Sequence, residues 1–146
     1  MRSPMSAPPE PIFFTDRDLG KRFPQLLRDA GLRVELHETH FQPATPDEIW
    51  LPRIRERGWV AITRDGRIRY SPLALEAMMS AGTQLFVIVG KLTNDDAAAV
   101  FIDRRKQIQA LLAKDQDAFI ARVRRDGVFT WLRYSSWRRE KERRNP

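Results

Sequence analysis

The sequence predicts a three-layer α/β/α sandwich with a mostly parallel central sheet and a C-terminal antiparallel strand pair. Short apolar runs alternate along the chain with segments whose apolar residues recur at helical spacing, which is typical of a parallel sheet covered by helices on both faces. The most apolar run, LFVIV at residues 85–89, suits the middle of such a sheet. Asp126-Gly127 lies between two later strand-like runs and is a strong signal for a hairpin turn.

The first part of the chain predicts a strand, a helix and a second strand. Ile12–Thr15 is a short apolar run, and the helix predicted over 21–30 has its apolar residues at helical spacing. Gly31 follows that helix and is expected to end it. The next strand, over 33–37, has alternating apolar and polar residues.

A second helix is predicted to extend to about residue 57. Thr45 is its expected N-cap, with Pro46 at its first position and Glu48 as the acid of a capping box. Pro52 is expected to bend or shorten this helix, because proline cannot donate the helical hydrogen bond.

The second half continues the alternation of strands and helices. A helix over 72–80 follows Ser71, and Thr93 with Asp96 forms a capping box that opens one long helix. The remaining strands are predicted over 59–63, 84–89, 119–123 and 128–134.

Length and composition predict a single domain at 12–134, preceded by a disordered proline-rich leader at 1–11 and followed by a basic tail at 135–146. The chain has no cysteine, which excludes disulfides, thiolate zinc sites and a cysteine nucleophile. The longest apolar run is too short to cross a membrane, so we expect a cytoplasmic protein with no membrane partner.

The chain is strongly basic. It has 26 Lys and Arg against 19 Asp and Glu, a net charge of +7. This balance favours an anionic partner such as nucleic acid.

Against this basic background, acidic residues occur where strands end or a helix begins. Asp16 and Asp18 follow the first strand, Asp47 and Glu48 open a helix, and Asp65 follows the strand at 59–63. The carboxyl ends of parallel strands meet at one edge of a sheet, which is where ligands bind in such folds. Clustered carboxylates at this edge are typical of a site for Mg²⁺ or Mn²⁺.

Each acidic segment also has a structural interpretation. Asp16 and Asp18 could be helix-capping residues in a loop. Asp47 and Glu48 could be present because acids are favoured in a first helical turn. The segment WVAITRDGRIRY around Asp65 could form a hairpin with a two-residue turn. The residues alone leave these alternatives open.

Three segments in order, FFTDRDLGKRFPQLLRDAGLRVELH, PDEIWL and GWVAITRDGRIRY, together resemble the PIN-like domain superfamily. More narrowly, they resemble the small VapC-type toxin ribonucleases of toxin–antitoxin systems. The resemblance covers roughly residues 12–123, and its most specific part is the Thr63-Arg64-Asp65 motif.

The resemblance implies that Asp16, Asp47 and Asp65 are the catalytic residues and the metal ligands, with Asp18 and Glu48 as second-tier candidates. It also implies Mg²⁺ or Mn²⁺ as the cofactor. Members of this family often have a fourth acid beyond the next strand. Asp95 and Asp96 are the candidates here, although they lie a few residues later than the family pattern.

The function implied is that of a metal-dependent endoribonuclease, the toxin of a toxin–antitoxin pair. RNA and a cognate antitoxin are then the expected partners, and a homodimer is common in the family. If the site lies at the predicted edge, Arg17, Arg64 and Arg67 would lie beside it and bind RNA phosphates. The alternative is a non-catalytic PIN-like module that binds RNA or a protein, and a DNA-directed nuclease would share the same site.

Overall fold

The computed structural model describes residues 10–145. Its strands are β1 (Ile12–Thr15), β2 (Arg33–Leu36), β3 (Trp59–Thr63), β4 (Gln84–Ile88), β5 (Phe119–Arg124) and β6 (Gly127–Arg133). Its α-helices are α1 (Arg22–Asp29), α2 (His37–His40), α3 (Asp47–Glu56), α4 (Pro72–Ala81), α5 (Asn94–Asp103), α6 (Arg105–Lys114) and α7 (Tyr134–Arg144). Two 3-10 turns, Arg17–Leu19 and Gly66–Tyr70, follow β1 and β3.

The six strands form one sheet in the order β2-β1-β3-β4-β5-β6. All neighbouring pairs are parallel except β5 and β6, which are antiparallel. The chain passes from β1 outward to β2 and then returns to β3 on the other side of β1. This reversal makes the carboxyl ends of β1 and β3 the switch point, where open α/β sheets bind ligands.

Helices cover both faces of the sheet, and this confirms the predicted three layers. One face packs Phe13, Ile62 and Phe86 against α1, α5 and α6, and the other packs Phe14 and Leu85 against α3, α4 and α7. Because successive strand residues point to opposite faces, both faces being buried requires the nearly continuous apolar runs that the sequence has.

The start of α3 differs from the prediction. The helix begins at Asp47, and Pro46 occupies the N-cap position in an extended conformation (φ −63°, ψ 151°) without a side-chain cap. Thr45 therefore lies outside the helix and does not cap it. Asp47 and Glu48 are the first two helical residues, where the helix dipole favours negative charge. Pro52 is accommodated inside the helix.

Two C-terminal predictions also need correction. The long helix predicted after Thr93 is assigned as α5 and α6, separated at Arg104, although the hydrogen bond from Ile108 N to Arg104 O (3.0 Å) continues the helical pattern. The predicted basic tail is mostly helix α7. Trp137 is buried in the core and anchors this helix. The charged residues on either side of Trp137 made this burial difficult to predict from the sequence.

Most of the predicted disordered leader, residues 1–9, lies outside the described residues. Among residues 10–145, no helix has both the length and the apolarity needed to cross a membrane.

Candidate active site

Asp16 and Asp18 lie directly beyond β1. The backbone N–H of Asp16 donates to Ile62 O (3.0 Å), which extends the contact between β1 and β3 by one residue. The Asp16 carboxylate then accepts from Arg17 N (2.7 Å) and caps the 3-10 turn that contains Asp18. Asp16 therefore caps this turn, as one interpretation of the sequence predicted. The same turn brings Asp18 to the end of β3.

The Thr63 hydroxyl joins the two carboxylates. Thr63 is the last residue of β3 and is fully buried. Its Oγ1 lies 2.8 Å from Asp16 Oδ2 and 3.1 Å from Asp18 Oδ2. A hydroxyl has one proton to donate, so it cannot satisfy both carboxylates fully at once. Arg64 N donates a further hydrogen bond to Asp18 Oδ2 (3.0 Å).

This arrangement makes both carboxylates more difficult to ionise. Burial raises the pKa of Asp16 above its usual value, the hydrogen bonds from Thr63 and Arg17 oppose that rise, and the negative charges of Asp47 and Asp65 add to it. Burial and then the charge of Asp16 raise the pKa of Asp18 to about 6. Although Asp18 is exposed as a residue, its Oδ2 reaches the buried Thr63 hydroxyl, so its carboxyl group is partly withdrawn from water.

Asp65 lies beyond β3 and is held by Arg67. Its Oδ1 accepts from Arg67 N (3.0 Å) and Nε (2.8 Å), and its Oδ2 accepts from the Arg67 guanidinium (2.9 Å). These contacts lower the pKa of Asp65. The following residues form the 3-10 turn Gly66–Tyr70, so the alternative of a hairpin around Asp65 is wrong.

Asp47 approaches the same edge from α3. Its Oδ1 accepts from Trp50 Nε1 (2.9 Å), and its charge contributes to the raised pKa of Asp16. Glu48 is the next helical residue. Within residues 10–145 its side chain forms no hydrogen bond or ion pair, and its charge is not among the causes of the Asp16 shift. The predicted cluster is therefore electrostatically coupled through Asp16, Asp18, Asp47 and Asp65.

The donor chemistry of this cluster fits a hard divalent cation, because carboxylate oxygens are the ligands that Mg²⁺ and Mn²⁺ prefer. In the described part of the chain, however, no three acidic or histidine side chains are arranged to hold a metal ion together. Asp65 is bound by Arg67, and Asp47 accepts a hydrogen bond from Trp50. The Arg67 side chain is 90% exposed, and surface ion pairs of this kind are weak, so a cation could displace it at small cost.

The predicted fourth acids do not join the cluster. Both carboxylate oxygens of Asp95 accept from Arg22 Nε at 2.8 Å, and Asp96 lies one residue further along α5. Neither residue is among the causes of the raised pKa values of Asp16 and Asp18.

The three predicted arginines occupy different positions. Arg64 donates to Leu92 O (2.6 Å), Gly90 O (2.9 Å) and Asn94 Oδ1 (3.3 Å), so its guanidinium ties the end of β3 to the loop after β4. These contacts hold the end of β3 in position, and the phosphate contact predicted for Arg64 stays a prediction. Arg17 donates to Pro43 O (3.0 Å) and is exposed, as is Arg67.

A small cavity beside Asp16 adds a residue that sequence reasoning missed. It measures about 160 Å³ and is lined by Thr15, Asp16, Arg17, Lys21, His37 and Glu38. His37 is buried, and burial together with the positive charge of Arg17 lowers its pKa. Because His37 is isolated in the sequence, no residue pattern indicated its position beside Asp16. Thr63 was recognisable in the sequence only as part of the Thr63-Arg64-Asp65 motif.

Comparison with known proteins agrees with this geometry. The sequence model of a family described as "PIN like domain" matches residues 11–90, which include all five predicted acidic site residues. The chain belongs to the PIN-like domain family. The predicted resemblance and fold class are thereby confirmed.

A curated relative narrows the resemblance. The chain is 32% identical over 80 residues to a protein of Mycobacterium tuberculosis (strain ATCC 25618 / H37Rv) named "Putative ribonuclease VapC45". The match covers 51% of this chain and 58% of the relative, so the chain spans little more than half of the relative's length. No solved structure matches the chain.

Proposed function

We propose that this protein is a metal-dependent endoribonuclease of the PIN-like class and acts as the toxin of a toxin–antitoxin pair. The observation that carries the proposal is the convergence of Asp16 and Asp18 on one buried hydroxyl, that of Thr63. The chain has an excess of cations, yet within residues 10–145 neither carboxylate forms an ion pair with one of them. The ribonuclease name of the similar mycobacterial protein supports the choice of reaction.

In this proposal Asp16, Asp47 and Asp65 hold Mg²⁺ or Mn²⁺, and Asp18 and Glu48 are second-tier ligands. When bound, the cation would neutralise charge on the phosphate and supply an activated water. The protein's own contribution is to position the carboxylates. Thr63 orients Asp16 and Asp18, and Trp50 orients Asp47. A carboxylate oxygen left free of the cation can then accept the proton of the attacking water.

The exposed arginines next to the cluster provide the RNA contacts in this proposal. Arg17 and Arg67 flank the carboxylates from the turns after β1 and β3, where guanidinium groups can bind phosphates on either side of the cleaved bond. A cognate antitoxin in the cytoplasm would inhibit by covering this edge of the sheet. A homodimer is compatible with the proposal but does not carry it.

The proposal is tested by incubating purified protein with a panel of RNA and single-stranded DNA in Mn²⁺, Mg²⁺ or EDTA. We expect RNA cleavage that requires the metal and is lost in Asp65→Ala. Asp95→Ala is the matched control, because Asp95 is an acid of the same edge whose partner is Arg22. Cleavage that persists in EDTA or in Asp65→Ala would contradict the mechanism, and cleavage of DNA alone would contradict the substrate.

One observation favours a second function, a non-catalytic module that binds RNA or a protein. The ion pair between Arg67 and Asp65 occupies a predicted ligand. In that case RNA binding would survive Asp65→Ala and EDTA, and no divalent cation would bind to the cluster.

A further inference from the structure

An exposed aromatic side chain lies close to the carboxylate cluster. Tyr70 ends the 3-10 turn that begins immediately after Asp65, and it is 72% exposed. A large aromatic side chain in contact with water forgoes the stabilisation that burial would give it. Tyr70, five residues after Asp65, therefore presents ring surface that a ligand could contact.

Trp131 connects Tyr70 to the cluster from the other end of the sheet. The Tyr70 and Trp131 rings are 5.9 Å apart, in an edge-to-face arrangement at 78°. Trp131 belongs to β6 and lies against the turn after β3, where a Cβ added to Gly66 would be 3.6 Å from its ring. The indole therefore lies next to Gly66, the residue that follows Asp65.

Two arginines flank this pair of rings, so that Arg122, Trp131, Tyr70 and Arg69 follow one another in a row. The Arg122 guanidinium lies 4.6 Å from the centre of the Trp131 ring, and that of Arg69 lies 5.5 Å from the centre of the Tyr70 ring. Within residues 10–145, Nε of neither arginine has a hydrogen-bond acceptor. Both Nε atoms are buried, so they are not themselves open to a ligand.

The sheet register gives the distance of this row from the cluster. Thr63 is paired with Val87 of β4, and Val87 is paired with Arg122 of β5. Since neighbouring strands are about 4.8 Å apart, Arg122 lies about 10 Å along the sheet from Thr63. That separation is of the order of one to two nucleotides of an extended single strand.

We propose that Tyr70 and Trp131, flanked by Arg69 and Arg122, form a stacking subsite for a base of single-stranded RNA next to the phosphate held at the carboxylates. The inference rests on the proposed function and adds a site to it. Aromatic rings together with positively charged residues are the usual way in which proteins bind single strands without base-specific hydrogen bonds. A protein partner is less well supported, because the arginines beside the rings and the net charge of +7 favour an anionic ligand.

The experiment measures the affinity of a fluorescently labelled single-stranded RNA for the protein in EDTA, so that binding is separated from cleavage. The variants are Tyr70→Ala and Tyr70→Phe, and cleavage in Mn²⁺ is measured alongside. Leu73→Ala is the matched control, because Leu73 is 69% exposed on the adjoining α4 and has no aromatic ring.

We expect Tyr70→Ala to weaken RNA binding about 5-fold or more, since a stacked base is worth about 1–3 kcal/mol. Tyr70→Phe, which keeps the ring, should bind nearly as wild type, and Leu73→Ala should be unchanged. The salt dependence of binding should not change in Tyr70→Ala, because the ring neutralises no phosphate.

The subsite is overturned if Tyr70→Ala binds RNA as wild type does, if Leu73→Ala loses as much, or if the wild type binds no single-stranded RNA. RNA cleavage that is the same in wild type and Tyr70→Ala, with equal affinity, would contradict the subsite and leave the ribonuclease standing. Ring-dependent binding without metal-dependent cleavage would contradict the ribonuclease and leave the subsite standing.

Discussion

Asp16 and Asp18, which lie beyond β1, differ from the acids on the remaining surface in how their charge is balanced. Asp95, on α5, is bound by Arg22 through both oxygens at 2.8 Å, and other surface acids form similar pairs. Asp16 and Asp18 instead share the Thr63 hydroxyl, and within residues 10–145 neither forms an ion pair. The first arrangement is neutralised by the chain, and the second retains its negative charge.

A shortage of basic residues does not cause this difference, because the chain has 26 Lys and Arg against 19 acids. The fold places most of those cations elsewhere and gathers carboxylates at the switch point of the sheet. Burial raises the pKa of both carboxyl groups, and the charge of Asp16 adds to the rise at Asp18, so the ionised cluster weakens the folded state. The difference indicates that the cluster is arranged for a positive charge from outside the chain.

The largest effect on activity is expected when a carboxylate of the cluster loses its charge, in comparison with a paired surface carboxylate. Asp16→Asn should reduce RNA cleavage about 100-fold or more, because several kcal/mol of transition-state stabilisation depend on the bound cation. Glu76→Gln is the control, since Glu76 is a surface acid paired with Lys141. Initial rates of oligoribonucleotide cleavage check the prediction. Equal losses of cleavage activity in Asp16→Asn and Glu76→Gln would mean that the two kinds of carboxylate do not differ in function.

The next effect concerns the hydroxyl that joins Asp16 and Asp18. Thr63→Val should lower the free energy of unfolding by about 1 kcal/mol, and Thr83→Val should do the same, because both hydroxyls are buried and hydrogen-bonded. Thr63→Val alone should also reduce cleavage, by about 10-fold, because the carboxylates lose their common donor. Urea denaturation and cleavage rates measure the two effects. Equal activity in both variants would argue against the positioning role of Thr63.

The sequence could predict those features of the site that depend on local residue patterns, and not those that depend on how distant strands pair. Asp16 and Asp65 were predictable at one edge, because each follows an apolar strand and parallel strands align their carboxyl ends. The contact of Thr63 with Asp16 and Asp18 was not, because it depends on the register that pairs Thr15 with Ile62. Register between distant strands is set by tertiary packing, which no local pattern records.

The errors in element boundaries have similar causes. Thr45 and Glu48 fit a capping box, yet α3 begins at Asp47 with Pro46 before it, because the N-cap residue need not supply a side-chain cap. The charged C-terminal segment resembled a tail, and the burial of the single residue Trp137 makes it a packed helix. At the C-terminal segment, tertiary packing overrode the local pattern.

A smaller effect is expected on stability and its pH dependence. The pKa of Asp18 is raised from 3.8 to about 6, so the folded state binds its proton more tightly than the unfolded state between those values. Stability therefore falls as pH rises from about 4 to about 6. Asp18→Asn should remove this loss and be more stable than wild type at pH 7. The shift corresponds to about 3 kcal/mol, and the exposure of Asp18 reduces the expected gain to about 1 kcal/mol.

Urea denaturation of wild type and Asp18→Asn at pH 4 and pH 7 checks this prediction. The difference between the two proteins should be larger at pH 7. If Asp18→Asn is less stable than wild type at pH 7, the negative charge of Asp18 is already balanced by favourable interactions in the folded protein.

The smallest effect should come from releasing Asp65. Arg67→Ala removes the exposed ion pair, and because surface pairs of this kind are weak, the affinity for Mn²⁺ should rise only about 2- to 5-fold. Arg22→Ala is the control, because it frees Asp95 outside the cluster. Calorimetric titration with Mn²⁺ measures both. A similar rise in both variants would show only the loss of a surface positive charge.

The most direct measurement is the melting temperature of the protein with and without Mn²⁺, for wild type, Asp16→Asn and Asp95→Ala. Binding at about 100 times Kd adds about 2.7 kcal/mol, which for a chain of this size raises the melting temperature by about 5–10 °C. We expect this rise in melting temperature in wild type and Asp95→Ala, and little or none in Asp16→Asn. An unchanged wild type, or an equal rise in all three proteins, would contradict a cation site at the ends of β1 and β3.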